Sequence, residues 1–490
     1  MIMKPVVLAA EDREFLRLVE RSAFGNPFSR EREGLEREII FSAHTDRPGA
    51  GDAPRVVRER LERFAGLGYA RLSDFAESEQ SSARAAFLYD AFHRVIQPFD
   101  ALIEGHAHGV ASRGRIAFAD EAIEGLQSRG FSPEESTHFF AIFYQLRRAY
   151  YFIERGLVGG SAGMQELRMR LWANVFTHDM VLYTRRLWSR MEDFSTLLLG
   201  ATGSGKGACA ASIGRSGYIP YNAVNGDFAD NFQRCFTSIN LSQYSGALIE
   251  SELFGHKKGA FTGALQSSDG VFDRCSPYGG IFLDEIGELS PALQIKLLTV
   301  LQDRVFSPVG SRETHRFEGR VIAATNRRLS DLRGRGGFRE DFYYRLCSDV
   351  ISVPGLAERL REDPSELVVL VSHVVRRLCG VHSGDVAPRV LEALVESTGP
   401  DYGWPGNVRE LEQAVRRILL TGSYASLPSE AGDADEAWLG LDAEGLLARY
   451  CSKLYDRLGS YEAAGRRAGL DRRTVKKHVK SWAQARQGKG

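Results

Sequence analysis

Apolar residues recur every three or four positions through the first third of the chain, and this spacing predicts amphipathic helices. The pattern is clearest over residues 13–23, 56–65, 85–103 and 134–154. The last stretch also holds a dense set of aromatic residues, namely Phe139, Phe140, Phe143, Tyr144, Tyr150, Tyr151 and Phe152. We expect a mainly helical regulatory or sensory domain over residues 1–156, with the aromatic stretch in its core or in a contact between domains.

The middle of the chain has a different pattern, in which short uninterrupted apolar runs end in glycine or in polar residues. Such runs are typical of buried parallel strands. They occupy residues 196–199, 279–283 and 320–324, and the first is followed by a glycine-rich segment and a stretch of small residues that favours a helix. This order predicts strands of an α/β domain.

The glycine-rich segment predicts a phosphate-binding loop. It consists of Gly200, Ala201, Thr202, Gly203, Ser204, Gly205, Lys206 and Gly207. A strand, such a loop and a helix in this order place backbone N–H groups around phosphates at a helix N-terminus. Lys206 adds a positive charge for the outer phosphates, whereas Gly207 has no hydroxyl for Mg²⁺. We interpret the segment as a nucleotide site, the alternative being a glycine-rich turn with a chance lysine.

Acidic and amide side chains follow the other two apolar runs. Asp284 and Glu285 end the second run in the arrangement that phosphate-loop ATPases place beside Mg²⁺. Asp284 is expected to hold the metal and Glu285 to polarise the attacking water. Asn326 follows the third run, where its amide would lie near the γ-phosphate. Solvated acids at a strand end are the alternative, which the glycine-rich segment upstream disfavours.

Three arginines beyond these strands are candidates for nucleotide contacts. Arg339 and Arg345 either form ordinary surface ion pairs or, in a ring of ATPases, reach the γ-phosphate of a neighbouring subunit. Arg409 lies at the opening of a helix, from which it would contact nucleotide within its own subunit.

A short loop between the glycine-rich segment and the acid pair has two glycines that bracket an aromatic residue. The loop consists of Gly259, Ala260, Phe261, Thr262, Gly263 and Ala264. It either presents Phe261 to a partner or buries that residue in a turn. These six residues resemble the signature of bacterial sigma-54-dependent transcription activators, the enhancer-binding members of the AAA+ ATPases. The resemblance covers residues 157–422 and includes the preceding motifs in the family's order.

The resemblance implies a fold and an activity. The fold is a multidomain α/β arrangement, with an αβα AAA+ ATPase subdomain over residues 157–355 and a helical lid over 356–422. The activity is that of an oligomeric ring, usually a hexamer, that hydrolyses ATP with Mg²⁺. The ring remodels the closed complex of sigma-54 RNA polymerase and promoter, which it contacts through residues 259–264.

The resemblance also implies roles for particular residues. Asn240 matches the asparagine that partners the catalytic glutamate, Asn326 the first sensor and Arg409 the second sensor. Arg339 and Arg345 match the fingers that act in trans.

Three departures from the family's pattern leave Lys206, the acid pair and the arginines intact, so we expect an active ATPase. Gly207 replaces a glutamate, residues 218–235 form an insertion without an evident purpose, and residues 241–243 replace a run of small residues.

The end of the chain predicts a linker over residues 423–440 and a DNA-binding domain over residues 441–490. Helices are expected over residues 441–458, 461–468 and 472–485, with Asp471 as the N-cap of the last. The arrangement resembles the Fis-type helix-turn-helix. Basic residues of the last helix are expected to contact double-stranded DNA, namely Arg472, Arg473, Lys476, Lys477 and Lys480. A basic solvated helix is the alternative.

The composition bears on the partners and the cellular location that we expect for the chain. The 63 basic and 63 acidic residues give a formal net charge of zero, so any attraction to nucleic acid must be local. The six cysteines lack metal-ligand spacing, and no signal-peptide core or membrane-spanning run is evident, so we expect a cytoplasmic protein without a membrane partner.

The sequence as a whole predicts an ATP-dependent activator of sigma-54 promoters. Two alternatives stay open, an AAA+ remodeller of another client and a DNA-binding repressor that binds nucleotide with little ATPase activity.

Overall fold

The computed structural model describes residues 8–42, 52–109, 114–244, 246–334, 337–380, 384–399, 402–424 and 442–487. Two compact units divide the chain. The first comprises Met1–Leu391 and Asp401–Arg416, and the second comprises Glu392–Pro400 and Arg417–Gly490. Most of the predicted linker lies outside the described residues, which contain no helix long and apolar enough to cross a bilayer.

The first unit begins with helices, most of which the spacing predicts, although sequence reasoning missed Arg30–Phe41 and Ala119–Ser128. These N-terminal helices span Ala10–Ala23, Arg30–Phe41, Ala53–Gly66, Gln80–Arg94, Ile96–Ala107, Ala119–Ser128 and Pro133–Gly156. The single helix predicted over residues 85–103 is wrong, because two helices meet there at Val95. Pro98 explains the break, since it has no N–H to donate to the carbonyl of Arg94 and its ring would clash with that carbonyl.

The aromatic helix Pro133–Gly156 begins at a capping box formed by Ser132 and Glu135. Phe140 and Tyr144 on this helix are almost completely buried, which confirms the prediction that the aromatic stretch belongs to a core.

A five-stranded parallel sheet forms the centre of the α/β part. Its strands in chain order are β1 (Thr196–Leu199), β4 (Phe236–Asn240), β5 (Gly280–Asp284), β8 (Arg320–Thr325) and β9 (Asp349–Ser352). Their spatial order is β4-β5-β8-β1-β9. Because parallel strands end at the same edge of a sheet, the residues after β1, β5 and β8 come together there, and Asn240 lies opposite Asp284.

Helices and two small antiparallel pairs surround this sheet. The pairs are β2 (Tyr221–Asn222) with β3 (Asp227–Phe228), and β6 (Val305–Phe306) with β7 (His315–Arg316). The helices span Ala162–Phe176, Met180–Leu182, Lys206–Gly214, Gly246–Phe254, Val271–Arg274, Pro291–Asp303, Leu329–Arg333, Glu340–Leu346, Leu356–Glu362 and Glu366–Cys379. Two further helices, Val386–Thr398 and Asn407–Thr421, begin in the first unit and end in residues of the second.

The insertion over residues 218–235 packs into the core of the N-terminal helices. Phe228 of β3 stacks on Tyr144 with ring centroids 4.0 Å apart, and Tyr221 of β2 meets Phe140 edge-on at 4.9 Å. Phe232 is buried in the same cluster. The insertion therefore joins the helical region to the α/β region.

The second unit ends in helices Ala443–Leu458, Tyr461–Ala468 and Arg472–Gln487, close to their predicted bounds. Their small core contains Cys451, Ala464 and Val475.

Candidate nucleotide site and adjoining surfaces

The glycine-rich segment turns tightly between β1 and the helix Lys206–Gly214. Gly203 and Gly205 have φ angles of 79° and 106°, in the left-handed region that favours glycine. A Cβ on Gly203 would lie 2.3 Å from the carbonyl oxygen of Gly406, so any side chain there would clash. The Ser204 hydroxyl is buried and has no hydrogen-bond partner among the described residues. These features form a narrow cradle with spare hydrogen-bonding capacity, which suits phosphate.

The ammonium group of Lys206 lies over this cradle. Its Nζ donates to the carbonyl oxygens of Gly200 at 2.8 Å and Ala201 at 3.2 Å. Burial lowers the pKa of Lys206, although the nearby carboxylates of Glu285 and Asp284 oppose that effect. Phosphate oxygens would offer the ammonium charged acceptors, which form stronger hydrogen bonds than neutral carbonyls.

The acid pair lies at the end of β5 beside the cradle. An oxygen of Asp284 accepts a hydrogen bond from the backbone N–H of Glu285 at 3.0 Å. Glu285 has a φ of 55°, a conformation that costs free energy in a residue other than glycine and concentrates at functional sites. Within the described part of the chain, its carboxylate has no hydrogen-bond or ion-pair partner, so it is free to bind water.

The amide side chains predicted near the nucleotide also lie at this edge. Asn326 donates to the hydroxyl of Thr202 at 3.2 Å. Asn240 accepts hydrogen bonds from the backbone and hydroxyl of Ser242, at 3.0 and 2.7 Å. No hydrogen bond joins Asn240 to Glu285 among the described residues, so that partnership stays a prediction.

A cavity of about 580 Å³, a size suited to a nucleotide, lies beside the cradle and the acid pair, whereas Asn326 is outside the set of residues that line it. Its polar wall includes Lys206, Asn240, Asp284, Glu285 and Arg409. Sequence reasoning missed its apolar wall, which includes Leu157, Val158, Met164, Leu167, Leu370 and Val374, and four further polar residues of the lining, Arg359, His373, Arg377 and Glu412. Met164, Leu167, Leu370 and Val374 lie on helices and have the spacing of ordinary core residues, so no sequence signal distinguished them.

The first residues of the helix Asn407–Thr421 hold the cradle from the other side. Asn407 donates to the carbonyl of Thr202 at 3.0 Å and accepts from the backbone of Leu356 at 2.8 Å. The N–H of Val408 donates to the carbonyl of Gly203 at 3.1 Å. Sequence reasoning missed Asn407, although asparagine is among the residues that tolerate its φ of 53°.

Arg339 and Arg345 are outside the set of residues that line this cavity. Arg339 is exposed and pairs with Asp341 at 2.9 Å, a contact that raises the pKa of its guanidinium through hydrogen bonding. The Nε of Arg345 donates to the carbonyl of Leu301 at 2.9 Å. Neither arginine serves the site of its own subunit in this arrangement.

The residues at this edge of the sheet fit a magnesium ion. Mg²⁺ is usually bound by one or two carboxylates, by substrate phosphates and by water. Asp284 supplies a carboxylate beside the phosphate cradle, and Gly207 contributes no side-chain ligand. Asp284 would therefore be the protein's ligand to the ion.

The loop over residues 259–264 forms a compact turn away from the cavity. The N–H of Gly259 donates to the carbonyl of Ala264 at 2.8 Å, and both Gly259 and Gly263 have left-handed φ angles, 81° and 101°. Phe261 is 36% exposed and contacts His256 with ring centroids 5.0 Å apart. The loop thus displays a large part of an aromatic ring to solvent.

The last helix of the second unit presents its basic residues to solvent. Asp471 caps this helix, as predicted, by accepting from the N–H groups of Arg473 at 2.8 Å and Thr474 at 3.0 Å. Val475 and His478 are buried on the opposite side. The exposed side chains are Arg472, Arg473, Lys476, Lys477 and Lys480.

A parallel sheet, a phosphate cradle at the end of β1, an acid pair after β5 and a helical lid define an AAA+ nucleotide-binding protein. The family described as the Sigma-54 interaction domain matches residues 179–352. ZraR of Salmonella typhimurium is 42% identical over 198 residues, which cover 39% of this chain and 43% of that protein. SfnR of Pseudomonas putida, a sigma54-dependent transcriptional activator, is 36% identical over 270 residues, which cover 54% of this chain and 69% of SfnR.

The chain belongs to the family of sigma-54-dependent transcriptional activators. Its similarity spans less than half the length of ZraR. Among solved structures, NtrX from Brucella abortus in complex with ADP is 22% identical with a TM-score of 0.41, over 75% of this chain and 80% of that one.

Proposed function

We propose that this chain binds double-stranded DNA and uses ATP hydrolysis in a homo-oligomeric ring, a hexamer as in its family, to open promoters held by sigma-54 RNA polymerase. The observation that carries the proposal is a nucleotide cavity complete with lysine, acid pair and lid in the same unit as the partly exposed Phe261. SfnR, named as a sigma54-dependent activator, supports the choice of partner.

Each predicted residue of the nucleotide site has a role in this proposal. The backbone of residues 200–207 and the ammonium of Lys206 bind the phosphates. Asp284 would hold Mg²⁺, and the bound ion would neutralise negative charge on the phosphates. Glu285 accepts the proton of the attacking water. Asn326 and Arg409 sense the phosphate, and Asn240 restrains Glu285.

The ring accounts for the arginines that lie outside the cavity. In the proposed assembly Arg339 and Arg345 of one subunit reach the γ-phosphate in the next and stabilise the charge that develops there. Hydrolysis would then require an interface between two subunits.

The proposal keeps the predicted ATPase subdomain at residues 157–355 and its helical lid at residues 356–422. Residues 1–156 form the domain that regulates the ATPase. Arg148, fully buried on the aromatic helix, donates to the carbonyls of Arg215 at 2.9 Å and Gly217 at 2.7 Å, just after the phosphate-loop helix. Ser212 on that helix donates to the carbonyl of Phe152 at 3.0 Å. These contacts offer a direct mechanical connection to the phosphate cradle. Residues 441–490 bind DNA.

The test of the proposed client contact is Phe261→Ala. This variant should keep its fold, DNA binding and most ATPase activity, because the loop lies outside the nucleotide cavity. Transcription activation should be lost, since truncating an aromatic anchor at an interface typically costs about 2 kcal/mol or more. Activity is measured as open complexes formed with sigma-54 RNA polymerase.

The matched control for this variant is Leu265→Ala. Leu265 follows the loop directly and is 80% exposed, so its truncation should leave activation unchanged. Normal activation by Phe261→Ala would show that the loop is not the client contact, and unfolding of that variant would show that Phe261 serves the core.

A further inference from the structure

The helical region contains a second cavity that has no part in the proposed ATPase cycle. It measures about 160 Å³ and lies among the helices Ala10–Ala23, Gln80–Arg94, Pro133–Gly156 and Ala162–Phe176. Side chains that line it include Phe24, Leu88, Phe92, Phe143, Leu146 and Trp172. Cavities of about 150 Å³ lined by such residues stay dry and accept a single aromatic ring.

The charged residues of the lining are already paired. Arg147 binds both carboxylate oxygens of Asp100 at 2.7 and 2.8 Å, and Arg32 donates to Glu36 at 3.0 Å. Burial lowers the pKa of His93 to about 4, so its imidazole is neutral at pH 7. An anionic ligand would therefore find no free positive charge among these groups, and losing its hydration would be costly.

One polar group of the lining residues is unsatisfied. The hydroxyl of Tyr89 is buried and has no hydrogen-bond partner in the described part of the chain. Because this oxygen is inaccessible to solvent, it offers no polar contact to a ligand, and the attraction within the cavity comes from its apolar lining.

The cavity also borders the segment that leads into the ATPase sheet. Trp172 lines it, and two residues later Asn174 donates to Thr196 of β1 at 3.0 Å and to Asp349 of β9 at 2.7 Å. A ligand beside Trp172 would contact the helix that supports the strand before the phosphate cradle.

From this lining we infer that the cavity is a binding site for a small uncharged compound with one aromatic ring. Binding of such a compound requires neither ATP hydrolysis nor sigma-54.

The experiment measures binding of toluene, phenol and benzoate to the full chain by saturation-transfer NMR. Toluene and phenol should bind with dissociation constants on the order of 0.1–1 mM, as expected for ligands of seven heavy atoms. Benzoate should not bind measurably. Absence of toluene and phenol binding to the folded protein, or tighter binding of benzoate, would overturn the inference.

Cavity-filling variants locate the site. Ala23→Leu places three additional carbon atoms in the lining and should weaken toluene binding at least about tenfold. Ala101→Leu is the matched control, because Ala101 is exposed on a helix of the same region and lies outside the lining. If Ala23→Leu does not fold, Leu146→Phe fills the same space from another helix. Toluene binding that is unchanged in a folded filling variant would contradict the assignment.

Discussion

At the scale of single residues, Glu285 combines a left-handed backbone conformation with the carboxylate that we propose as the general base. Its left-handed backbone, φ 55°, costs roughly 1–3 kcal/mol, and the surrounding sheet maintains it. The same conformation places a carboxylate that has no partner among the described residues beside the phosphate cradle. The pattern of an apolar strand followed by two acids predicted this pair, but no sequence pattern predicted the strain.

We expect Glu285→Gln to bind ATP and to hydrolyse it roughly 10²–10⁴-fold more slowly, because the amide cannot accept the proton of water. Glutamine has the same shape, so the fold and the nucleotide affinity should persist. Steady-state hydrolysis and binding of a fluorescent ATP analogue measure the two effects. Nearly normal turnover would place the general base elsewhere.

Residue patterns predicted the polar half of the site and missed its apolar half. Lys206, Asp284 and Glu285 carry chemistry that nonpolar neighbours cannot supply, so their position after apolar runs is informative. Met164 and Leu370 line the same cavity, yet they have the helical periodicity of any core residue. Only the three-dimensional structure separates the two roles.

At the scale of elements, the insertion between the phosphate-loop helix and β4 was the least predictable part of the fold. The sequence marks residues 218–235 as extra but gives no indication of their partners. Those partners are aromatic rings more than 70 positions earlier in the chain, such as Phe140 and Tyr144. Contacts over such a separation leave no local periodicity. Among the N-terminal helices, three were predicted to within a few residues, Pro98 divides a fourth predicted stretch into two helices, and Arg30–Phe41 and Ala119–Ser128 were missed.

We expect Phe228→Ala to loosen the contact between the insertion and the helical region. The truncation removes stacking on Tyr144 and should lower the free energy of unfolding by about 1–3 kcal/mol, less than for a fully buried phenylalanine. Hydrogen exchange should accelerate in the helix Pro133–Gly156. The control is Val224→Ala at the tip of the same hairpin, where the side chain is 89% exposed and the effect should stay within about 0.5 kcal/mol. Equal effects of the two variants would show that the stacking contributes nothing.

At the scale of the whole molecule, one subunit contains a nucleotide cavity without the two arginines that the proposal assigns to hydrolysis. Arg339 and Arg345 make their contacts with Asp341 and with the carbonyl of Leu301 instead. The resemblance to the family implies that they act in trans, a role that belongs to an assembly of subunits.

Mixing two inactive variants tests the trans role. Arg345→Ala subunits should bind nucleotide without hydrolysing it, and Lys206→Ala subunits should fail to bind it. Mixed oligomers should recover part of the activity, because some interfaces pair an intact phosphate cradle with an intact arginine. If mixed oligomers form and recover no hydrolysis, Arg345 does not act across the interface.

The central claim is that this chain couples ATP hydrolysis to promoter opening by sigma-54 RNA polymerase. The most direct measurement counts heparin-resistant open complexes on a sigma-54 promoter placed downstream of DNA sites selected in vitro with the full chain. Open complexes should form with hydrolysable ATP and not with a non-hydrolysable analogue. DNA binding and ATP hydrolysis without open complexes would contradict the claim and identify a remodeller of another client, whereas DNA binding without hydrolysis would identify a repressor.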